Sequence, residues 1–156
     1  MWRAMLQREA LDHAITRDDA RTATRLLRAG IATGKRDGPF RQMQLVKAAY
    51  DVNPETVAAL LDAGADPNVE SRGKYPLIEA IRSDAILRYP PMDETTHPKR
   101  RFDTVQILLN RGANPNLPRD RTPFALAQSH GLDDIVALLR MRGATSGRDG
   151  RVENLK

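Results

Sequence analysis

Leu60-Leu61-Asp62-Ala63-Gly64-Ala65-Asp66-Pro67-Asn68 returns later in the chain as Leu108-Leu109-Asn110-Arg111-Gly112-Ala113-Asn114-Pro115-Asn116. A fainter copy, Leu26-Leu27-Arg28-Ala29-Gly30, precedes the pair, and Leu138-Leu139-Arg140-Met141-Arg142-Gly143-Ala144 follows it. A phrase repeated at near-constant spacing marks stacked supersecondary units, each hiding its apolar side against the next. Gly30 and Gly64 stand 34 residues apart and Gly112 and Gly143 stand 31 apart, whereas Gly64 and Gly112 are separated by 48. The chain therefore reads as one all-α solenoid domain over 1–145. Its four helix-turn-helix units cover about 1–30, 31–64, 65–112 and 113–145, the third with an insertion at 87–101, and a flexible tail follows at 146–156.

The local signals agree with helical hairpins. In the first unit Ala10, Leu11, Ala14 and Ile15 recur at helical spacing, Asp18-Asp19 restarts the chain, and Ala23, Leu26 and Leu27 form the next stripe. Ile31 to Arg41, with Gly34, Gly38 and Pro39, reads as a turn segment. Asn53-Pro54-Glu55 is a cap, a proline at the first helical position and an acid in the first turn. Thr122-Pro123 repeats that logic in the fourth unit. In the insertion, three prolines and a run of polar side chains from Leu87 to Arg101 argue against a regular element. Trp2, the single tryptophan, is expected to pack as a cap over the first unit, the alternative being a binding anchor.

Thr122-Pro123-Phe124, Tyr75-Pro76-Leu77, Ile135-Val136-Ala137-Leu138-Leu139 and Gly64-Ala65-Asp66-Pro67-Asn68 resemble the ankyrin repeat pattern, over about Glu9 to Ala144. The departures are specific. The opening histidine of that pattern is replaced by Asp12, Val46, Ile78 and Ala125. The glycine of the inter-helix turn survives as Gly131, while Asp18 and Val52 replace it in the first two units. Arg140 stands where the last helix would carry an apolar residue, as suits an outer unit facing water.

Composition narrows the function classes. Aromatics are only 4%, so the core must be aliphatic, and the absence of cysteine excludes a disulfide framework and a thiolate metal site. No stretch approaches the roughly 20 apolar residues of a membrane span, and the first residues lack the apolar run of a secretion signal, so a cytoplasmic location is expected. Asp66, Asn68, Asn114 and Asn116 follow helix-ending glycines and flank prolines, a setting for turn bonds rather than for a calcium loop. His13, His97 and His130 are too scattered for a zinc site. No nucleophile-base arrangement or phosphate loop is evident, and the reading is of a non-enzymatic protein with no cofactor and no metal.

The resemblance implies a protein-interaction module whose partner lies on the concave face formed by the first helices and turn tips. Carried over by position, the candidate contact residues are His13, Arg17, Lys47, Tyr50, Asp51, Arg72, Lys74, Glu79, Arg82, Arg119, Arg121 and His130, with Arg88, Tyr89 and Arg100 added from the insertion. A net charge of +5 fits a soluble surface, since the 20 acidic residues are interspersed with the basic ones, and equally a protein partner with an acidic surface; the chain is expected to act as a monomer. For a bacterial chain the resemblance implies a partner-regulating or toxin-neutralising (immunity) role. The alternative is a basic nucleic-acid-binding protein that uses the Arg-rich tips and the Lys99-Arg100-Arg101 cluster, although the aromatic-basic interleaving of single-strand binders is absent.

Overall fold

The computed structural model describes residues 2–31, 38–84 and 95–145. They form α1 (Trp2–Thr16), α2 (Ala20–Arg28), α3 (Gly38–Tyr50), α4 (Pro54–Asp62), α5 (Pro76–Arg82), α6 (Thr96–Asn110), α7 (Pro123–Ser129) and α8 (Asp133–Met141). Each odd-numbered helix packs on the even-numbered one that follows it. Successive pairs then stack, with α1, α3, α5 and α7 in one row and α2, α4, α6 and α8 in the other. The architecture is an all-helical, ankyrin-type solenoid. None of the described helices is long and apolar enough to cross a membrane.

Why the hairpins close is visible at their ends. Asp19, Asn53 and Thr122 cap α2, α4 and α7 by accepting bonds from the backbone N–H of Thr22, Thr56 and Ala125. The even helices end on Gly30, Gly64, Gly112 and Gly143, all at positive φ. After each glycine the next amide folds back onto the leucine five residues earlier: Ile31 to Leu26, Ala65 to Leu60, Ala113 to Leu108 and Ala144 to Leu139. The repeated asparagines then bridge neighbouring pairs. Asn68 Nδ2 donates to the Gly112 carbonyl while its Oδ1 accepts from the Asn114 amide. Asn116 does the same with the Gly143 carbonyl and the Thr145 amide. Asp66 and Asn114 close local turns onto the amides of Asn68 and Asn116.

The core is one continuous aliphatic cluster. Leu11, Leu45, Leu60, Ile81, Leu108 and Leu139 are fully buried, with Phe124 its one fully enclosed aromatic side chain among the described residues. Arg140 stays outside, its guanidinium 5.2 Å from the centre of the Phe124 ring.

Several expectations need correction. Gly38 to Arg41 is the first turn of α3 rather than a turn segment, because Pro39 sits where a helix has no use for its missing N–H. Thr96 to Arg101 of the insertion is likewise helical. Pro98 is the third residue of α6, still among the amides that lack an intrahelical acceptor. Trp2 does not cap the first pair; it is 78% exposed. Of Val57, Leu60 and Leu61, which helical spacing in the second unit reads as one buried stripe, Val57 and Leu60 are fully buried and Leu61 is half-buried. Arg88 and Tyr89, with the 87–94 part of the insertion, and the 146–156 tail lie outside the described residues.

His97, the second residue of α6, is buried, with Nε2 3.5 Å from Ser83 Oγ. Ser83 Oγ donates to the Tyr50 carbonyl, and Arg101 donates to the Ser83 carbonyl. Burial pushes the His97 pKa below its ordinary value, and the charges of Arg101 and Arg100 push the same way against Asp84. The unfolded chain therefore takes up this proton first, so the contribution of a neutral His97 is complete above about pH 6.5 and is lost as pH falls below it.

Two outcomes are expected. Leu108→Asp places a charge in a sealed aliphatic contact and should abolish the cooperative thermal transition followed by circular dichroism. Leu60→Ala should cost about 2–5 kcal/mol, and Leu61→Asp should be milder than Leu60→Asp; a wild-type melt for Leu108→Asp would show the packing register to be wrong. Second, Tm should be level from pH 8 to 7 and decline from about pH 6.5 downward. His97→Gln should flatten that decline, and an unchanged slope in the variant would remove His97 as its source.

Candidate functional site

The row of α1, α3, α5 and α7 carries polar side chains that meet across pairs. Asp12 accepts from Gln44 Nε2 at 2.8 Å and lies 3.4 Å from Lys47 Nζ. The Gln44 amide, followed by the Lys47 charge, holds the Asp12 carboxyl below the usual carboxylate range against the opposing effect of burial. Lys47 also reaches Thr16 Oγ1. One pair further on, the Tyr50 hydroxyl donates to Asp84, which raises the phenol pKa and lowers that of the carboxyl.

Beside this line, α3, α5 and the short turn at 71–74 enclose a groove of about 430 Å³. Met43, Val46 and Tyr50 offer it apolar surface, and Lys47, Arg72, Lys74 and Arg82 bring four cations to it. The turn is pinned by paired backbone bonds between Ser71 and Lys74, with Glu70 accepting from the Gly73 amide. Arg72, at its tip, holds a left-handed backbone with φ 55. At the base, Glu79 is sealed in, 1% exposed, with Arg82 Nη1 at 3.3 Å and Lys74 Nζ at 3.8 Å. Glu79 offsets part of the charge of Lys74 and Arg82, and Asp12 part of that of Lys47, so four cations against these two carboxylates leave the groove an excess of positive charge.

The structure thus gathers six sequence-nominated residues, Lys47, Tyr50, Arg72, Lys74, Glu79 and Arg82, at one groove. Two nominated residues are not surface groups. Glu79, in the middle of α5, is buried, and Asp51, just past the end of α3, is 9% exposed. His13 is exposed on α1 and Arg17 in the turn that follows it, His130 caps the end of α7, and Arg119 and Arg121 are exposed on the connection between α6 and α7; none of these lines the groove. Arg100 is elsewhere altogether, bonded to Asp18 and to the Val52 carbonyl. The basic cluster of the insertion is therefore partly consumed inside the fold, since Arg101 is committed to Ser83 as well.

Sequence reasoning passed over Asp84 and Gln44. The signal was the repeat period itself: Asp12 and Gln44 are 32 residues apart and Tyr50 and Asp84 are 34 apart, about one repeat in each case. Among the described residues there is no cluster of three His, Cys, Asp or Glu side chains able to hold a metal ion.

No family model matches the chain. It is similar to "Ankyrin repeat, SAM and basic leucine zipper domain-containing protein 1" of Carollia perspicillata, at 32% identity over 133 residues, which is 83% of this chain and 25% of that protein. The chain spans about a quarter of the length of this curated relative. Together with the stacked helix pairs and their glycine-ended helices, the likeness supports an ankyrin repeat family for this chain.

Proposed function

We propose that the chain is a non-enzymatic ankyrin-repeat interaction module of four units, the third bearing an insertion, and that it docks an acidic segment of a folded protein partner in the groove between α3 and α5. The observation that carries this reading is the charge arrangement. Four cations surround an apolar surface, and the carboxylate at the base is buried beneath them. Apolar surface flanked by cations suits a partner segment that combines a hydrophobic anchor with carboxylates. The finer role consistent with such a module is regulation of the partner by occlusion, in a bacterial cytoplasm the neutralisation of a toxin, by a monomer. The tied-down Arg100 and Arg101 make the basic cluster a poorer nucleic-acid surface than the sequence suggested.

Charge reversal tests the proposal. Arg72→Glu changes an exposed tip residue without disturbing the Glu79 ion pairs. Partners captured by the wild-type chain should bind this variant at least tenfold more weakly in calorimetry at low salt, with Tm unchanged. The difference should shrink as salt is raised. Equal capture by both proteins would remove the groove from the interface.

A further inference from the structure

The even helices share a register fixed by the glycine that ends each of them. Twelve residues before Gly30, Gly64 and Gly143 stand Asp18, Val52 and Gly131, and all three adopt the left-handed backbone of the inter-helix turn, with φ 60, 46 and 66. The residue twelve before Gly112 is Arg100, and here the chain is helical. α2, α4 and α8 are 9 residues long and α6 is 15, so its extra six residues, Thr96 to Arg101, run past the place where the other helices begin. Arg100 consequently lies in line with the turn residues of the two preceding pairs and reaches along them.

Its guanidinium makes three bonds there. Nη1 and Nη2 donate to the two Asp18 carboxylate oxygens at 3.0 and 2.9 Å, and Nε donates to the Val52 carbonyl at 2.9 Å. The two side chains of the ion pair are about a quarter exposed, so the fork is shielded from solvent more than a surface pair is. Asn53 adds a bond from its side-chain amide to Asp18. Both anchor points are non-glycine residues in a costly conformation, and Val52 is β-branched as well, the least tolerant class. Such turns persist where the surroundings hold them.

In a stack of helix pairs, each pair ordinarily contacts only its neighbours, and stability is a sum of pair and nearest-neighbour contributions. The bond between Arg100 and Asp18 spans 82 residues and passes over the second pair. We propose that the six-residue extension of α6 is a strap coupling the first helix pair to the third, so that pairs one to three open as one block while α7 and α8 open independently. The groove between α3 and α5 lies inside that block, but the strap stands on its own geometry and does not depend on what the groove binds.

Residue-resolved amide hydrogen exchange of the full chain tests this. The reporters are the Asp19 and Asn53 amides, bonded to the Ala14 and Ala48 carbonyls in the two anchored turns, and the Leu132 amide, bonded to the Ala127 carbonyl in the last pair. Arg100→Gln should accelerate exchange at Asp19 and Asn53 together by about tenfold or more, with Leu132 changed less than twofold. Asp18→Asn, which keeps a residue tolerant of positive φ, should reproduce the acceleration at Asp19, and the double variant should exchange there no faster than the faster single one. Arg100→Lys, which keeps the charge and loses the fork, gives the same reading if the Gln variant does not fold. Acceleration confined to 95–110, equal acceleration at Leu132, or multiplicative effects in the double variant would overturn the strap.

Discussion

Leu60, Leu108 and Leu139 each stand four residues before a helix-ending glycine, and each is sealed from solvent in the same aliphatic cluster. Leu26, at the same register in the first pair, is half-buried because no earlier described pair covers it. That row of leucines is the contact on which the remaining structure depends. No described pair has enough apolar surface of its own to form a core, so each is stable only against a neighbour. The glycines and asparagines serve the row. Left-handed glycines turn the chain without burying an orphan carbonyl, and asparagine side chains carry hydrogen bonds from one turn to the next.

The stacking also explains the polar chemistry. Aligned pairs bring residues about one repeat apart into contact, so Asp12 meets Gln44 and Tyr50 meets Asp84 without any local signal. Glu79, in the middle of α5, is enclosed by the packing of α5 against α3, α6 and α7, which leaves a buried carboxylate beside two cations. The positive groove is thus a by-product of register: cations remain outside while the acid is folded in.

Most of the fold was legible because its signals are local and repeated. The glycine stops and the Asn53-Pro54 and Thr122-Pro123 starts can each be read within a few residues, whereas the left-handed backbone of Asp18 and Val52, where the turn glycine is replaced, cannot. The start of α6 was not legible, because Thr96 to Arg101 carries no apolar period and Pro98 looks like a breaker unless its place in the first turn is known. Arg100 was read as a surface cation because its partner lies 82 residues away. Six of the candidate contact residues line the groove, but the sequence could not separate the exposed Arg72 from the buried Glu79 and Asp51. That distinction is set by the neighbouring pair and not by the helix on which each residue sits.

The position of Trp2 has an optical consequence. This lone indole sits in water on a turn of α1 that contributes nothing to the leucine row. An indole so exposed is expected to emit in the native protein much as it does in an unfolded chain, so a fluorescence titration with denaturant would register almost nothing while the stack came apart. A tryptophan introduced in place of Phe124, inside the cluster, would give the molecule the internal dye that its own sequence withholds.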